Sequence, residues 1–506
     1  MLAAAAMLLG TAWIGDDAFI TLRVIDNFVN GWGLRYNVIE RVQVFTHPLW
    51  LFVLTPLYAL TREAMLTTML VSVLLALAAL WLLARRIATS VEYGCLLVLA
   101  AVASQAICHF STSGLENPLT FLLLALLVWQ LYKSDEPGQS GRMWIPAGVV
   151  GLLLLNRLDL IILAGPVAGY LLFRARGMQR VKVAVAAVLP VLAWMIFSLI
   201  YYGAPFPNTA YAKLGTGFDS ATLLMRGLEY TQDFALTDPL LAVIIGKAVF
   251  DAARSRNWTT TLLGSGIVLY LAYIVIIGGD FMSGRFFAAP GFLALCLLAR
   301  TPAPQWLFKR WKVTGLIALA MVGTLLVARV MEQPSFTIPS NGIADERRFY
   351  YSYNGLVPVL KTWASTGYEP VHPWGQRGLM LKSEAQRIGR PIVVVEGNAG
   401  MPVFYAGPAV HNVDVLALTD AFLARLPAIP GARVGHYQRM LPPGYLETAL
   451  NDVPSTRIAA LQPLLHDVTL ATRASLLAEG RGDAIWRLLA EHYRWVYETG
   501  IGGANR

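Results

Sequence analysis

Apolar stretches alternate with short polar connections along the first 330 residues, and this alternation constrains the fold more than any other feature. Only 14% of the residues are charged and 56% are hydrophobic, whereas a soluble domain carries roughly 25% charged residues. A helix needs about 20 largely apolar residues to cross a bilayer, so the shorter stretches must extend into their flanks. The pattern predicts a polytopic α-helical membrane protein with about eleven spans. The predicted spans are 1–14, 64–83, 91–108, 118–132, 143–156, 160–173, 183–202, 239–253, 260–278, 286–299 and 313–330.

Basic residues predict the topology, because cytoplasmic loops carry an excess of Lys and Arg. Every second connection is basic. The basic connections contain Arg85 and Arg86; Lys133 and Arg142; Arg174, Arg176, Arg180 and Lys182; Arg254 and Arg256; and Arg300, Lys309, Arg310 and Lys312. The alternate connections, 15–63, 109–117, 157–159, 203–238 and 279–285, are therefore expected outside. The apolar segment 48–60 would break the alternation as a span, so we expect an interfacial or re-entrant helix there.

The first stretch is short for a span and has no basic residue before it. It is expected to be tilted or incomplete, or the natural start lies upstream of Met1. The net charge of +9 follows from the basic cytoplasmic loops and does not indicate nucleic-acid binding. Cys95, Cys108 and Cys296 lie in apolar stretches without CxxC spacing, so neither a disulfide framework nor a zinc site is expected.

Residues 331–506 have the Pro, Gly and charge content of a globular domain. An odd number of spans places this tail on the extracytoplasmic side. The run 391–397 predicts a buried strand that ends in a turn, and 457–466 and 483–495 predict amphipathic helices. We therefore divide the chain into a transmembrane domain, 1–330, whose first external loop is 15–63, and an extracytoplasmic α/β accessory domain, 331–506.

Two adjacent carboxylates, Asp16 and Asp17, follow the first apolar stretch directly. Adjacent like charges raise one pKa, which suits a group that accepts a proton. The alternative is a solvated helix cap, since Asp is a favoured N-cap residue. The same loop supplies cations for an anionic phosphate, although each can equally contact lipid headgroups; they are Arg23, Arg41 and His47.

Further polar side chains lie in the other expected external segments. Ionisable residues at the ends of spans are functional candidates, although Arg157 and Asp159 can also form a pair that only fixes their turn. The candidates for acceptor binding or for supporting the site are Glu40, Glu116, Arg157, Asp159, Tyr211 and Asp280, and the further cations are Lys213 and Arg285. In the tail, Glu396, Asn398, His436 and Tyr437 offer hydrogen-bond and stacking groups for a glycan, or ordinary turn and packing contacts.

Longer strings of sequence carry a resemblance to a known family. They are GDDAFITLR at 15–23, NGWGLRYN at 30–37 and ERVQVFTHPLW at 40–50, with YAGP at 405–408, VDVLALTD at 413–420 and GHY at 435–437 in the tail. Together with the overall plan, they resemble GT-C glycosyltransferases that use polyprenyl-phosphate sugars. Within that class the chain is similar to the mycobacterial terminal β-(1→2)-arabinofuranosyltransferases.

The resemblance implies an activity and a location. The donor would be decaprenylphosphoryl-arabinose, and the acceptor would be the non-reducing end of an arabinan in arabinogalactan or lipoarabinomannan, at the plasma membrane. Asp16 would be the catalytic base, and Asp17 would orient it or bind a metal. No cofactor is assigned, and a divalent cation at Asp16 and Asp17 is left open. The phosphate-binding candidates are Arg23, Arg41, His47, Lys213 and Arg285.

The stereochemistry of that reaction adds a requirement. A β-linked donor that gives a β-linked product implies retention, which one displacement does not produce. Asp17, Glu116 or Asp159 are then the candidates for a second carboxylate.

Three other functions fit parts of the pattern. A transporter or lipid flippase would place charges near mid-span and show internal repeats, neither of which the sequence displays. A GT-C transferase for another sugar would share the acidic loop but not the tail strings. A non-catalytic glycan-binding membrane protein would bury the acidic pair away from any cavity.

Overall fold

The computed structural model describes residues 1–136, 140–213, 218–302, 310–367, 369–433, 435–490 and 492–496. Lys309 and the end of the predicted tail domain, 497–506, lie outside the described residues. Up to residue 219 the helices are α1 Leu2–Thr11, α2 Asp16–Val29, α3 Pro48–Thr61, α4 Met65–Leu82, α5 Val91–Ala103, α6 Gln105–Phe110, α7 Asn117–Ser134, α8 Trp144–Asn156, α9 Leu160–Arg174, α10 Met178–Tyr202 and α11 Asn208–Lys213. A π-helical turn, Leu83–Ile87, extends α4.

The later helices are α12 Ser220–Thr237, α13 Pro239–Arg254, α14 Trp258–Ile276, α15 Arg285–Arg300, α16 Trp311–Val330, α17 Glu346–Asn354, α18 Leu356–Thr366, α19 Pro373–Ile388, α20 Met401–Ala406, α21 Tyr445–Thr448, α22 Gln462–Thr472 and α23 Arg481–Leu489. Short 3₁₀ turns occupy Ser140–Arg142, Leu423–Arg425 and Ala459–Leu461. The strands are β1 Ile392–Val394 and β2 Val410–Asn412.

Each apolar stretch of the sequence coincides with helix, because the same residues that favour lipid also satisfy their backbone groups within a helix. Among the described residues, Met65–Ile87, Met178–Tyr202 and Trp258–Ile276 are long and apolar enough to cross a membrane by themselves. Others, such as Trp144–Asn156, are apolar but shorter. The span count of about eleven stays a prediction. The segment expected to be interfacial forms α3, which begins at Pro48.

The chain divides into two compact units, and the division does not follow the domain boundary expected at residue 330. The first unit comprises Met1–Gly15, Glu63–Val191 and Ser220–Gly367, and the second comprises Asp16–Arg62, Leu192–Asp219 and Tyr368–Arg506. The first external loop therefore belongs to the same unit as most of the tail. Residues 331–367 belong instead to the unit that contains most of the apolar helices.

Close helix packing characterises the first unit. A Cβ atom on Gly266 in α14 would lie 2.0 Å from the carbonyl oxygen of Leu163 in α9. A Cβ on Gly227 in α12 would lie 2.1 Å from the carbonyl oxygen of Val275. Small residues allow backbones to approach in this way, which is a characteristic of helices that pack within lipid.

The second unit contains a small parallel sheet. Its strands β1 and β2 pair in register, with Val393 opposite His411, and α20 forms the crossover between them. Leu381, Ala385, Ala406 and Val410 form an apolar core beside the sheet. A strand is therefore present within the predicted run 391–397, but it is limited to Ile392–Val394 and is half-buried rather than buried. The predicted helix 457–466 is wrong in its bounds, because Pro463 favours the first turn of a helix and α22 instead runs from Gln462 to Thr472.

Candidate functional site

The adjacent carboxylates stand in the first turn of α2, in the second unit. Asp16 is buried, and its two carboxylate oxygens accept hydrogen bonds from the backbone N–H groups of Gly400 (3.0 Å) and Met401 (2.7 Å). These N–H groups lie at the start of α20, where backbone N–H groups have no acceptor within the helix. A Cβ on Gly400 would lie 2.0 Å from the backbone oxygen of Asp16, so the approach requires glycine. Asp16 therefore caps a helix that is distant in sequence.

Burial raises the pKa of the Asp16 carboxyl to about 7. The hydrogen bond from Met401 lowers that pKa, the charge of Asp17 raises it, and the hydrogen bond from Gly400 lowers it. Burial outweighs the hydrogen bonds because it removes water from the charged form. A carboxyl group that titrates near neutral pH can both accept and return a proton.

Asp17 is the more accessible member of the pair, since it is only partly buried. The predicted division of labour made Asp16 the base and Asp17 its orienting partner. The contacts of Asp16 favour the opposite division, because two backbone amides already occupy its oxygens. Asp16 joins the start of α2 to the first turn of α20. Asp17 is the carboxylate that a substrate can reach more readily.

A second group of charges lies in the first unit, where α7, α8, α9 and α14 meet. The guanidinium group of Arg157 donates to both oxygens of Asp159, at 3.0 and 2.6 Å, and to Glu116 at 3.2 Å. The hydroxyl of Tyr270 donates to Asp159 at 2.6 Å. Glu116 is fully buried. Arg157 thus binds Glu116 as well as Asp159. A pair that only fixed the turn at 157–159 would not need this second carboxylate.

Asp280 and Arg285 extend this group, which we call the Arg157 cluster (Glu116, Arg157, Asp159, Tyr270, Asp280 and Arg285). Arg285 approaches Asp280 at 3.5 Å and Glu116 at 3.9 Å. Both distances are long for a charge-assisted hydrogen bond, which is typically 2.7–2.9 Å. The contacts of Arg157 with Asp159 and Glu116 are shorter than these two distances.

Arg23 was predicted to bind phosphate, but backbone carbonyl groups surround its guanidinium. It donates to Tyr36 at 2.8 Å and to Val410 at 2.8 Å, and also to Val403 and Gly407. Arg23 is only 2% exposed. These contacts join α2 to the strand and helix ends of the tail, so the geometry favours a structural role over the predicted phosphate contact.

Arg41 and His47 are also buried. Arg41 donates to the carbonyl oxygens of Tyr201 and Ala474. The ring of His47 is hydrogen-bonded to the hydroxyl groups of Thr21 (2.9 Å) and Thr46 (3.3 Å). His47 is thus committed to local contacts, whereas Arg41 keeps one terminal nitrogen available, as described below.

Lys213 is the exposed cation of the predicted phosphate-binding set, and it ends α11. Tyr211, in the same helix, lies under the guanidinium of Arg425, whose central carbon is 4.9 Å from the ring centroid. Tyr211 therefore has a packing partner, and Lys213 is the better placed of the two to meet a charged ligand.

Glu40 belongs to a buried network that the sequence did not reveal. Its carboxylate accepts hydrogen bonds from Asn37 (3.0 Å) and Arg473 (3.3 Å), and Asn37 also donates to the carbonyl of Asn412 at 3.0 Å. The network ties the first external loop to the tail. No local signal in the sequence identifies Arg473 or Asn412 as partners, because they lie hundreds of residues away.

The four tail candidates are dispersed. Glu396 pairs with Arg377 at 3.1 Å, and Asn398 is half-buried in the turn after β1. His436 is half-buried, and Tyr437 is buried with its ring 5.5 Å from that of Phe218. For Tyr437 this packing favours the structural alternative over sugar stacking.

Buried carboxyl groups in the tail were also missed as candidates. Burial raises the pKa of Asp414 to about 6, against hydrogen bonds from backbone groups that lower it. Burial likewise raises the pKa of Asp420, and the charge of Glu40 raises it further. Asp420 accepts hydrogen bonds from the N–H groups of Phe422 and Leu423. Both carboxyl groups bind turns of their own chain and fix the tail.

No group of three or more His, Cys, Asp and Glu side chains suited to a metal ion occurs within the described residues. A divalent cation at Asp16 and Asp17 therefore stays an open alternative.

No protein-family profile matches the chain. It is 28% identical to the terminal β-(1→2)-arabinofuranosyltransferase of Mycobacterium tuberculosis, over 85% of this chain and 81% of the relative. It is 26% identical to the protein of the same name from Corynebacterium glutamicum, over 85% of this chain and 73% of the relative.

Two crystal structures of one protein match the fold of this chain. The crystal structure of ArnT from Cupriavidus metallidurans in the apo state superposes with a TM-score of 0.53 at 15% identity, over 83% of this chain and 85% of that one. The structure of the same protein bound to undecaprenyl phosphate gives a TM-score of 0.52, over 81% of this chain and 84% of that one. At this identity the likeness establishes the fold alone.

The chain is a membrane glycosyltransferase with the GT-C fold. Within that class, the predicted resemblance to terminal β-(1→2)-arabinofuranosyltransferases is confirmed, since both curated relatives carry that name.

Proposed function

We propose that the chain transfers arabinofuranose from decaprenylphosphoryl-arabinose to the non-reducing end of a cell-wall arabinan, forming a terminal β-1,2 linkage. The observation that carries the proposal is the carboxylate pair at the start of α2, which the first turn of α20 holds in place. The names of the two relatives support the sugar and the linkage. The acceptor would be arabinogalactan or lipoarabinomannan at the plasma membrane.

The donor class has separate support. The ArnT crystal contains undecaprenyl phosphate, and decaprenylphosphoryl-arabinose has the same kind of lipid phosphate. Cations must stabilise the departing phosphate. Lys213 is exposed, so it is the predicted cation of the second unit that we retain for this role. Arg23 and His47 are committed to internal contacts.

We assign Asp17 the contact with the acceptor hydroxyl and Asp16 the positioning of Asp17. Retention of the β configuration requires a second displacement, and the carboxylate that performs it stays a prediction. Removal of a general base typically lowers a rate by about 10²–10⁴-fold. Asp17→Asn should therefore reduce transfer by at least about a hundredfold, while donor binding changes little. The assay is single-turnover transfer from decaprenylphosphoryl-arabinose to a synthetic arabinan acceptor, with donor binding measured separately.

Two comparison variants make the test specific. Asp16→Asn places an NH₂ group against one of two backbone N–H donors, so it should lower both the melting temperature and transfer. Asp26→Asn, on the same helix, changes a carboxylate that accepts from Tyr58 at 2.6 Å and should leave transfer intact. Near-normal transfer by folded Asp17→Asn protein would remove the catalytic assignment.

The tail would then contribute more than the glycan binding expected from the sequence. Gly400 and Met401 of the tail hold Asp16, so residues 331–506 take part in positioning the catalytic pair. We retain the expectation that the tail lies outside the cytoplasm, and Glu396 and Asn398 stay candidates for acceptor contacts. A GT-C transferase for another lipid-phosphate sugar is the second candidate, because the ArnT fold match does not depend on the sugar.

A further inference from the structure

Three arginine side chains of the second unit gather around the end of α10. Arg41 donates from Nε to the carbonyl oxygen of Tyr201 at 2.9 Å, and Arg481 donates from Nη2 to the same oxygen at 3.4 Å. A Cβ on Gly33 would lie 2.9 Å from the Tyr201 hydroxyl and 3.6 Å from Nε of Arg35. We call Arg35, Arg41 and Arg481 the arginine triad.

The triad has no internal counter-charge. None of its members pairs with a carboxylate within the described residues, and all their protein acceptors there are carbonyl oxygens. Nε of Arg35 is buried without a hydrogen-bond partner. Nη2 of Arg35 and Nη1 of both Arg41 and Arg481 likewise donate to nothing in the described part of the chain.

Like charges act on Arg41 within the triad. Burial, followed by the charges of Arg481 and Arg35, lowers the pKa of Arg41 to about 10, against a raising effect of Tyr201. An anion close to Arg41 would favour its charged form. A phosphate suits the position, since guanidinium groups bind its oxygens through paired hydrogen bonds.

The surroundings identify the source of the phosphate. Tyr201 and Tyr202 form the last turn of α10, one of the helices that are long and apolar enough to cross a membrane. Their rings belong to a cluster with Phe45, Trp194 and Phe197. Trp and Tyr side chains are enriched at the level of the lipid headgroups.

Apolar surface next to the triad fits acyl chains. Ile196 and Ile200 on α10 are 50% and 55% exposed, and Phe52 and Leu60 on α3 are 46% and 82% exposed. The ring of Phe52 packs 5.6 Å from that of Trp194, so α3 and the end of α10 present their apolar residues side by side. An amphiphile with a phosphate head and apolar tails matches both the charge and the surface.

We propose that the arginine triad binds the headgroup phosphate of an anionic phospholipid and anchors the first external loop to the bilayer surface. The site shares no residue with the Asp16–Asp17 pair and does not depend on the identity of the transferred sugar. Each basic residue near a charged membrane surface contributes about a fivefold gain in affinity.

The test uses the full-length protein in nanodiscs of phosphatidylcholine with or without phosphatidylglycerol. Phosphatidylglycerol should raise the melting temperature of the unaltered protein. Arg35→Gln and Arg481→Gln should each weaken lipid binding about fivefold and reduce the thermal shift. Arg481→Lys, which keeps the charge but loses the paired donors, should retain part of it. Arg457→Gln is the matched control. The Arg457 side chain is 77% exposed, and its substitution removes the same charge from the same unit.

Two results would overturn the proposal. The first is an equal phosphatidylglycerol shift in Arg481→Gln, Arg35→Gln and the Arg457→Gln control. The second is full stabilisation by inorganic phosphate in phosphatidylcholine nanodiscs, which would assign the triad to a free anion rather than to a lipid. Transfer activity is measured in parallel, so that failure of the proposed arabinosyl transfer can be distinguished from failure of lipid binding.

Discussion

The contact between Gly400 and Asp16 makes a strong prediction, because an added methyl group meets backbone rather than a flexible side chain. The Cβ of Gly400→Ala would lie 2.0 Å from the backbone oxygen and 2.6 Å from the carboxyl carbon of Asp16, whereas unbonded carbon atoms prefer about 3.5–4.0 Å. Either α2 or the first turn of α20 must move by roughly 1 Å or more, given that preference.

The cost can be worked from known magnitudes. Overpacking typically costs about 1–3 kcal/mol, and the loss of one hydrogen bond to a charged group costs about 1.5–3 kcal/mol. A combined loss of about 2.5–6 kcal/mol corresponds to a fall in melting temperature of about 5–24 °C for a domain of roughly 150–250 residues. A displacement of about 1 Å near the reacting groups can cost about a hundredfold in rate.

The assay is thermal unfolding followed by intrinsic fluorescence, with single-turnover transfer on the same samples. Gly397→Ala is the control, since it adds the same methyl group three residues earlier, where no atom lies within 4 Å. An unchanged melting temperature in Gly400→Ala, relative to Gly397→Ala, would refute the assignment of Asp16 as the cap of α20. A lower melting temperature with unchanged transfer would separate Asp16 from catalysis.

Three other predictions follow from the same structure. Burial raises the pKa of Asp16 to about 7 and of Asp414 to about 6, and it also raises that of Asp420. The folded state therefore holds protons that the unfolded state has released, and stability should fall as the pH rises from about 4 to 7. A melting temperature as high at pH 8 as at pH 5 would contradict this prediction. Arg157→Met should lower stability by about 3–5 kcal/mol because it removes the guanidinium group that pairs with the buried Glu116 and with Asp159. Disruption of the partly exposed Arg174–Asp135 pair by Arg174→Met should cost about 1 kcal/mol or less, and equal losses of stability in the two variants would contradict the buried character of the Arg157 cluster. Leu477 is 97% exposed, so a cysteine at this position in a cysteine-free variant should react with an impermeant maleimide added outside intact cells, and labelling only after lysis would place the tail inside.

Much of the helical plan followed from the sequence, because hydrophobicity acts locally. A run of apolar residues forms helix wherever its backbone must satisfy itself away from water, and α7, predicted at 118–132, spans Asn117–Ser134. The alternation of basic loops and the acidic pair after the first stretch were equally visible. The class of enzyme followed from strings of residues that stand together in the chain.

The partners of the buried polar groups depended on the tertiary structure alone. A helix cap was one of the two interpretations of the acidic pair. The helix that Asp16 caps, however, begins 385 residues later, at Met401. Arg23 was expected to meet a phosphate, but carbonyl groups from residues 403–410 satisfy it. The arginine triad combines residues 35, 41 and 481. Buried polar groups must find partners, but composition specifies only that a partner exists; which atom supplies it is decided by how distant segments pack.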